Sequence, residues 1–262
     1  MTHPTAERGD AMAGHRVISR DEWLVARKAL LAQEKELTRR RDELSEARRA
    51  LPWVKVEKSY VFDGPAGRET LADLFEGRSQ LLIYHFMFDP GWNDGCKSCS
   101  FWADGYNGVV AHLAQRDVTL IAVSRAPLEK LEAFRRRMGW SFKWVSSLAT
   151  AFNYDYGVSF TPDDLAAGRN RYNFDTTTFG GPEAPGISVF YRDPAGAIFH
   201  TYSCYARGLD MMNGAYQLLD LVPKGRGEAG LPYPMAWVRL RDEYDSGQGP
   251  FQPGSTASST SV

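Results

Sequence analysis

Cys96-Lys97-Ser98-Cys99 is the pattern in this chain best suited to chemistry. Two thiols spaced this way can pass a disulfide to and from a substrate. One thiolate attacks, a mixed disulfide forms, and the second sulfur releases the product. The flanking pattern sharpens the reading. An apolar run from Leu81 to Phe88 precedes the pair, and helical spacing resumes at Phe101, Trp102, Tyr106, Val109, Val110 and Leu113. A cysteine that opens a helix meets unpaired backbone N–H groups and the positive end of the helix dipole, both of which favour its anion. Such thiols titrate at roughly 3.5–7.5, against about 8.5 for free cysteine. Cys96 is therefore the expected attacking sulfur. Cys99, one turn along, is the expected resolving sulfur. Lys97 adds a favourable charge, and Asp94 opposes it. Run in reverse, the same site oxidises dithiols, with the reduction potential setting the direction.

Other chemistries compete for the pair. Zinc ordinarily takes four ligands, and the sequence has neither a second CxxC nor an HxxxH. Cys96 and Cys99 with His85 or His200 could instead hold copper. A relic pair on a binding scaffold is a third possibility. Around the pair, Trp92 sits in the loop Asp89–Gly95, where contact with substrate and simple exposure are both open. Trp102 reads as a core residue or as a groove wall. Arg125 follows the strand Val118–Val123, at the strand end where ligand contacts gather in open α/β sheets, or it makes a surface ion pair. His85 and His200 read as satisfied interior histidines, and Cys204 as a half-buried spectator or a third redox partner.

The surrounding elements read as alternating strands and helices. Ser19 and Glu22 fit a capping box that opens a long helix. Its apolar residues, Trp23, Leu24, Leu30, Leu31, Leu37, Leu44 and Leu51, form one stripe, and Pro52 ends it. That stripe packs on its own domain or on a second copy, so a homodimer is one expectation. Val54–Phe62 alternates as a strand, with a turn at Asp63–Gly67 and a return at Glu69–Leu71. A short helix from Leu71 to Phe75 should close near Gly77. The run Leu81–Phe88 suits a central strand buried on both faces. Pro127 and Gly139 bound a further helix, and Phe142–Val145 is another strand. Residues 148–184 read as an insertion with a short helix near Pro162. Ile187–Tyr191 and Ala197–Ser203 form a hairpin, and Gly208–Leu221 a last helix. Strand, helix, strand, helix, strand predicts an α/β fold with parallel pairing.

Composition supports a globular protein of 262 residues, 43% hydrophobic and 24% charged. The formal net charge of -1 offers no overall field for nucleic acid or an anionic membrane. Arg39-Arg40-Arg41 is balanced by Glu36, Asp42 and Glu43. The N-terminus carries no secretory pattern and no apolar run spans a bilayer, which predicts a cytoplasmic protein. Three cysteines make no disulfide framework. The domain reading is a disordered segment 1–17, a helix over 18–51, a main domain over 52–245 and a disordered tail over 246–262.

Three features together resemble the thioredoxin-like superfamily: Leu71–Ser79, the strand Leu82–Phe88, and the CxxC that follows. More narrowly the chain resembles the bacterial family called domain of unknown function 899, whose members are described as predicted dithiol–disulfide oxidoreductases. Val123–Pro127, Phe152–Phe160 and Leu231–Trp237 extend the resemblance, which runs from about Val17 to Tyr244. It implies a thioredoxin-like central mixed sheet flanked by helices, with a long N-terminal helix added. It also implies a protein or small-molecule disulfide or thiol as substrate, with no cofactor and no metal. Such folds set a cis-proline opposite the CxxC, and Pro185, just before Gly186-Ile187-Ser188-Val189-Phe190, occupies the matching place beside the substrate. Thioredoxin resembles Trp-Cys-Gly-Pro-Cys, whereas Gly95 stands before the first cysteine here and Lys97-Ser98 between the pair. A peroxiredoxin pattern counted from Pro90 meets Asp94 and Lys97, so it fails. A thiol peroxidase using Cys96, and a non-catalytic scaffold working through its long helix, remain the alternatives.

Overall fold

The computed structural model describes residues 15–244, so the expected disordered tails lie outside the described residues except for His15–Val17, which are exposed. The chain divides into two compact units between Leu51 and Pro52. The first holds helix α1, Arg20–Arg49. The capping box is present as expected: the Ser19 hydroxyl accepts from the Glu22 N–H at 3.3 Å, and the Glu22 carboxylate accepts from the Ser19 N–H at 3.0 Å. Exposed charges bind along the helix, Arg27 to Glu34 at 2.8 Å and Glu36 to Arg39 at 2.7 Å.

The second unit is built on an eight-stranded sheet. Its strands are β1 (Val54–Lys55), β2 (Val61–Gly64), β3 (Gly67–Thr70), β4 (Gln80–His85), β5 (Val118–Ser124) and β6 (Lys143–Ser146). A separate short ribbon of β7 (Arg171–Tyr172) and β8 (Thr177–Thr178) follows, and the sheet resumes with β9 (Gly186–Arg192) and β10 (Ile198–Tyr205). The order across the sheet is β1-β10-β9-β4-β5-β6-β2-β3. The helices are α2 (Lys97–Ala103), α3 (Val110–Ala114), α4 (Leu128–Met138), α5 (Phe152–Asp155), α6 (Pro162–Ala166) and α7 (Gly214–Leu219).

At the centre, β4 and β5 run parallel, β9 runs antiparallel to β4, and β10 antiparallel to β9. The connection from β4 to β5 carries the CxxC and α2. This is the thioredoxin-like arrangement that the resemblance implied, with β6 added parallel to β5 and the hairpin β2–β3 beyond it. Strand β4 is buried on both faces, as its unbroken apolar run requires. Tyr84 joins one core cluster with Phe86, Cys99, Trp102, Phe134 and Trp144. Leu81 and Ile83 join the other with Phe62, Phe75, Phe152 and Phe190.

Three expected elements differ. Val54–Phe62 is not one strand but two, at opposite sides of the sheet order. From Lys55 to Val61 the chain can reach about 20 Å. Six neighbouring steps of ~4.8 Å would separate those positions by ~29 Å in a flat sheet, so the sheet is curled. The helix expected through Leu113 breaks after Ala103. Gly105 and Gly108 weaken it, and side chains bind the connecting turn elsewhere: Asp104 accepts from the Trp140 indole at 2.7 Å, and Asn107 donates to the Gly139 carbonyl at 3.0 Å. The last expected helix becomes a 3-10 stretch over Ala206–Met212 and then α7. Asn213, extended at φ -94 and ψ 100, separates the two and caps the second by accepting from Tyr216 N–H at 3.0 Å.

Candidate active site at the Cys96–Cys99 turn

The registers of the central strands bring three chain segments to one end of the sheet. His85 pairs with Val123 on one side and with Gly186 on the other. The CxxC follows β4, Arg125 follows β5, and Pro185 precedes β9, so all three segments leave the sheet at the same end. Beyond β4 the chain stays tied to its neighbour, Phe86 N–H donating to Val123 O at 3.0 Å and Ala126 N–H to Phe88 O at 2.8 Å.

The loop Asp89–Gly95 is fixed before it reaches the cysteines. Lys130 donates to the carbonyls of Pro90 at 2.9 Å and Trp92 at 2.8 Å. Cys96 N–H donates to Met87 O at 3.1 Å. Gly95 is required by close approach: a Cβ there would lie 2.7 Å from the Phe86 ring and 3.0 Å from Phe134. Asp94, expected to oppose a thiolate, is bound by Arg137 at 2.8 Å.

Cys96 is the N-cap residue of α2, and its sulfur accepts from the Cys99 N–H at 3.5 Å. Cys96 is half-buried while Cys99 is buried, and both are free thiols. The two side chains lie one turn apart on the same side of the helix. The Cys99 thiol hydrogen bond, helped by the N–H groups of Cys99 and Ser98, outweighs burial and brings Cys96 down to about 7. Burial pushes the Cys99 thiol the other way, well up, and donation toward the Cys96 sulfur adds to that. Tyr84, beneath the turn, donates its hydroxyl to the Cys99 carbonyl at 3.2 Å. The site therefore holds one sulfur ready to ionise near neutrality and one kept protonated.

Arg125 forms an ion pair with Glu183 at 3.1 Å and lies 4.7 Å over the Tyr154 ring. Glu183 also accepts from the Ser159 hydroxyl at 2.6 Å, and burial raises its carboxyl to about 7 despite both partners. The Arg125 Nε is buried without a partner. Neither Glu183 nor Tyr84 was singled out by sequence reading. Glu183 stands two residues before Pro185, and Tyr84 hides in an apolar run, so no local pattern marks either. Trp92 is half-buried against the core cluster that Cys96 also packs on. Trp102 is a core residue whose indole donates to Leu209 O at 2.8 Å.

Pro185 follows a trans peptide bond, because no described peptide bond is cis. The expectation of a cis-proline is therefore corrected. Trans is the lower-energy isomer before proline. The flanking backbone is pinned in that form, with Ala184 N–H donating to Val158 O at 2.8 Å and the Pro185 carbonyl accepting from the Tyr172 hydroxyl at 2.5 Å. The copper alternative is likewise not supported: among the described residues no three His, Cys, Asp or Glu side chains group to hold a metal. His85 and His200 stand on the other face of the sheet, against Phe152, Tyr156 and Phe190. There they end a buried chain of hydrogen bonds, His85 Nε2 to Ser188 Oγ at 2.8 Å, Ser188 to Ser203 at 2.8 Å, and Ser203 to His200 Nε2 at 2.7 Å. Cys204 is buried in the core cluster that contains Cys99. No helix among the described residues is long and apolar enough to cross a membrane.

A family model described as bacterial protein of unknown function (DUF899) matches residues 12–244. No curated protein matches the sequence. Among solved structures, peroxidoxin BcpB from Mycobacterium tuberculosis aligns at 10% identity and a TM-score of 0.41, over 64% of this chain and 97% of its own. Peroxiredoxin Q from Xanthomonas campestris aligns at 15% identity and a TM-score of 0.40, over 60% and 90%. The mitochondrial 2-Cys peroxiredoxin from Plasmodium falciparum aligns at 10% identity and a TM-score of 0.38, over 64% and 92%.

Proposed function

From the premise that the chain belongs to the bacterial family of unknown function DUF899, we propose that it is a thiol–disulfide oxidoreductase, with Cys96 attacking and Cys99 resolving. The observation that carries this reading is the split between the two sulfurs. Cys96 is only half-buried and is brought down to about 7 by the thiol and amide protons it accepts, while Cys99 is buried and held protonated within the same turn.

The Cys96 thiolate attacks one sulfur of a substrate disulfide. A Cys96–substrate disulfide forms, the substrate S–S bond breaks, and the departing thiolate takes a proton from solvent. Cys99 then yields its proton and attacks the Cys96 sulfur. The Cys96–Cys99 disulfide forms and the second substrate thiolate leaves with that proton. The substrate gains two electrons and the pair loses two, so an external thiol must reduce the pair before the next cycle. Trp92, in the loop that leads into the attacking sulfur, would offer the substrate an apolar face, and Arg125 and Pro185 would line its approach from the neighbouring strand ends.

A redox titration followed by thiol counting should find one reversible disulfide, between Cys96 and Cys99. Cys96→Ser should abolish reduction of an aromatic disulfide, and Cys99→Ser should accumulate the mixed disulfide on Cys96. A pair that stays reduced under oxidising buffers, or a Cys96→Ser variant with full activity, overturns the reading. Hydrogen peroxide consumed by wild type and Cys99→Ser, with no disulfide reduced by either, would assign the site to peroxide instead.

A further inference from the structure

We propose that α1 forms a parallel, two-stranded coiled coil with α1 of a second copy of this chain. The inference is independent of the thiol chemistry and rests on three observations. Trp23, Leu30, Leu37 and Leu44 recur every seven residues and are 44%, 50%, 59% and 51% exposed. No residue of α1 is buried. A repeat of seven, sustained along a helix, stays on one side only when the helix supercoils left-handedly around a partner. At ~1.5 Å per residue the 30 residues of α1 span about 45 Å, long enough for four such contacts.

With the apolar repeat at the a positions, three of the four g–e pairs join opposite charges, the fourth being Ala29 with Glu34. Glu22, Glu36 and Glu43 occupy g positions, and Arg27, Arg41 and Arg48 occupy e positions. In a parallel pair each g residue meets the e residue five places on in the other helix. Glu22 then meets Arg27 of the second copy, Glu36 meets Arg41, and Glu43 meets Arg48. An antiparallel pair would set glutamate against glutamate and arginine against arginine, so the charges select the parallel form. The d positions, Ala26, Gln33, Arg40 and Ala47, are small or polar. The two alanines allow close approach, each Arg40 is held by Glu36 of its own helix at 3.0 Å, and the four positions together bury little, which makes the dimer concentration-dependent.

Sedimentation equilibrium of the full chain should show a species of twice its 29.3 kDa mass. Leu30→Glu with Leu37→Glu keeps good helix formers in place and should raise the dimer dissociation constant at least about a hundredfold. A chain carrying Glu36→Arg and Glu43→Arg, or one carrying Arg41→Glu and Arg48→Glu, should fail to pair with itself. Mixing these two chains should restore the dimer. The proposal is overturned by a chain that stays monomeric up to ~100 µM, a concentration at which micromolar self-association would be complete. A dimer indifferent to the leucine pair would place the interface elsewhere, which also overturns it. So would charge variants that each dimerise alone as well as wild type does, because that removes the parallel register.

Discussion

Cys96 and Cys99 are the same residue type three positions apart, yet their surroundings push them in opposite directions. Cys96 collects donors: the Cys99 thiol first, then two backbone N–H groups. Cys99 collects burial. Because the Cys99 thiol is the largest influence lowering Cys96, Cys99→Ala, which leaves no side-chain donor there, should raise the Cys96 midpoint above its value of about 7. The pH dependence of iodoacetamide labelling, read beside thiolate ultraviolet absorbance, measures this directly. A midpoint that does not move in the variant would mean that the helix-turn amides alone hold the anion.

At the scale of elements, the Cys96–Cys99 turn is positioned by packing beneath it and not by the length of α2, which has only seven residues. Gly95 lets the loop pass against Phe86 and Phe134, Lys130 ties down its first half, and the Met87 carbonyl receives Cys96. Adding one methyl group at Gly95 must move an aromatic ring or the loop. Gly95→Ala should therefore cost about 1–3 kcal/mol, the usual range for an overpacked interior. Chemical denaturation reads that cost, and the same variant should label more slowly at Cys96 near neutral pH as the capping geometry loosens. A variant as stable and as reactive as wild type would show that the loop has room the rings do not suggest.

For the whole molecule, two buried groups set opposing pH limits. Burial lowers His85 from 6.5 to about 3, so the folded state holds it neutral, and its stabilising effect is present above pH 6.5 and lost as pH falls toward 3. Glu183 is raised from 4.5 to about 7, so the folded state binds its proton more tightly than the unfolded chain does. Its contribution is full below pH 4.5 and is lost as pH rises through 7, a swing of order 3 kcal/mol. Thermal unfolding should be most resistant at roughly pH 6, between the two limits. Between about pH 5 and 6.5 the two effects nearly cancel, so Glu183→Gln should turn a nearly level profile into a rise set by His85 alone. A melting temperature that climbs steadily from pH 5 to 7.5 would contradict the burial of this carboxyl.

The setting of the cysteine pair and the order of the elements were legible because both are written locally. A cysteine pair between an apolar run and a resumed helix, a capping box at Ser19 and Glu22, and a glycine closing the helix after Met138 each depend on neighbours a few residues away. The pairing of Arg125 with Glu183 depends on residues 58 positions apart in sequence, and the seat of Tyr84 under Cys99 on 15. Neither leaves a periodic trace. The break in the helix after Ala103 and the crossing from β1 to β2 were completed in three dimensions, by hydrogen bonds to distant residues and by the curl of the sheet. The trans bond before Pro185 follows the local preference of about 1 kcal/mol, against what the resemblance implied. Sequence thus determined where the cysteine pair lies and in what order the elements come. Only the folded sheet determined which distant side chains stand beside them.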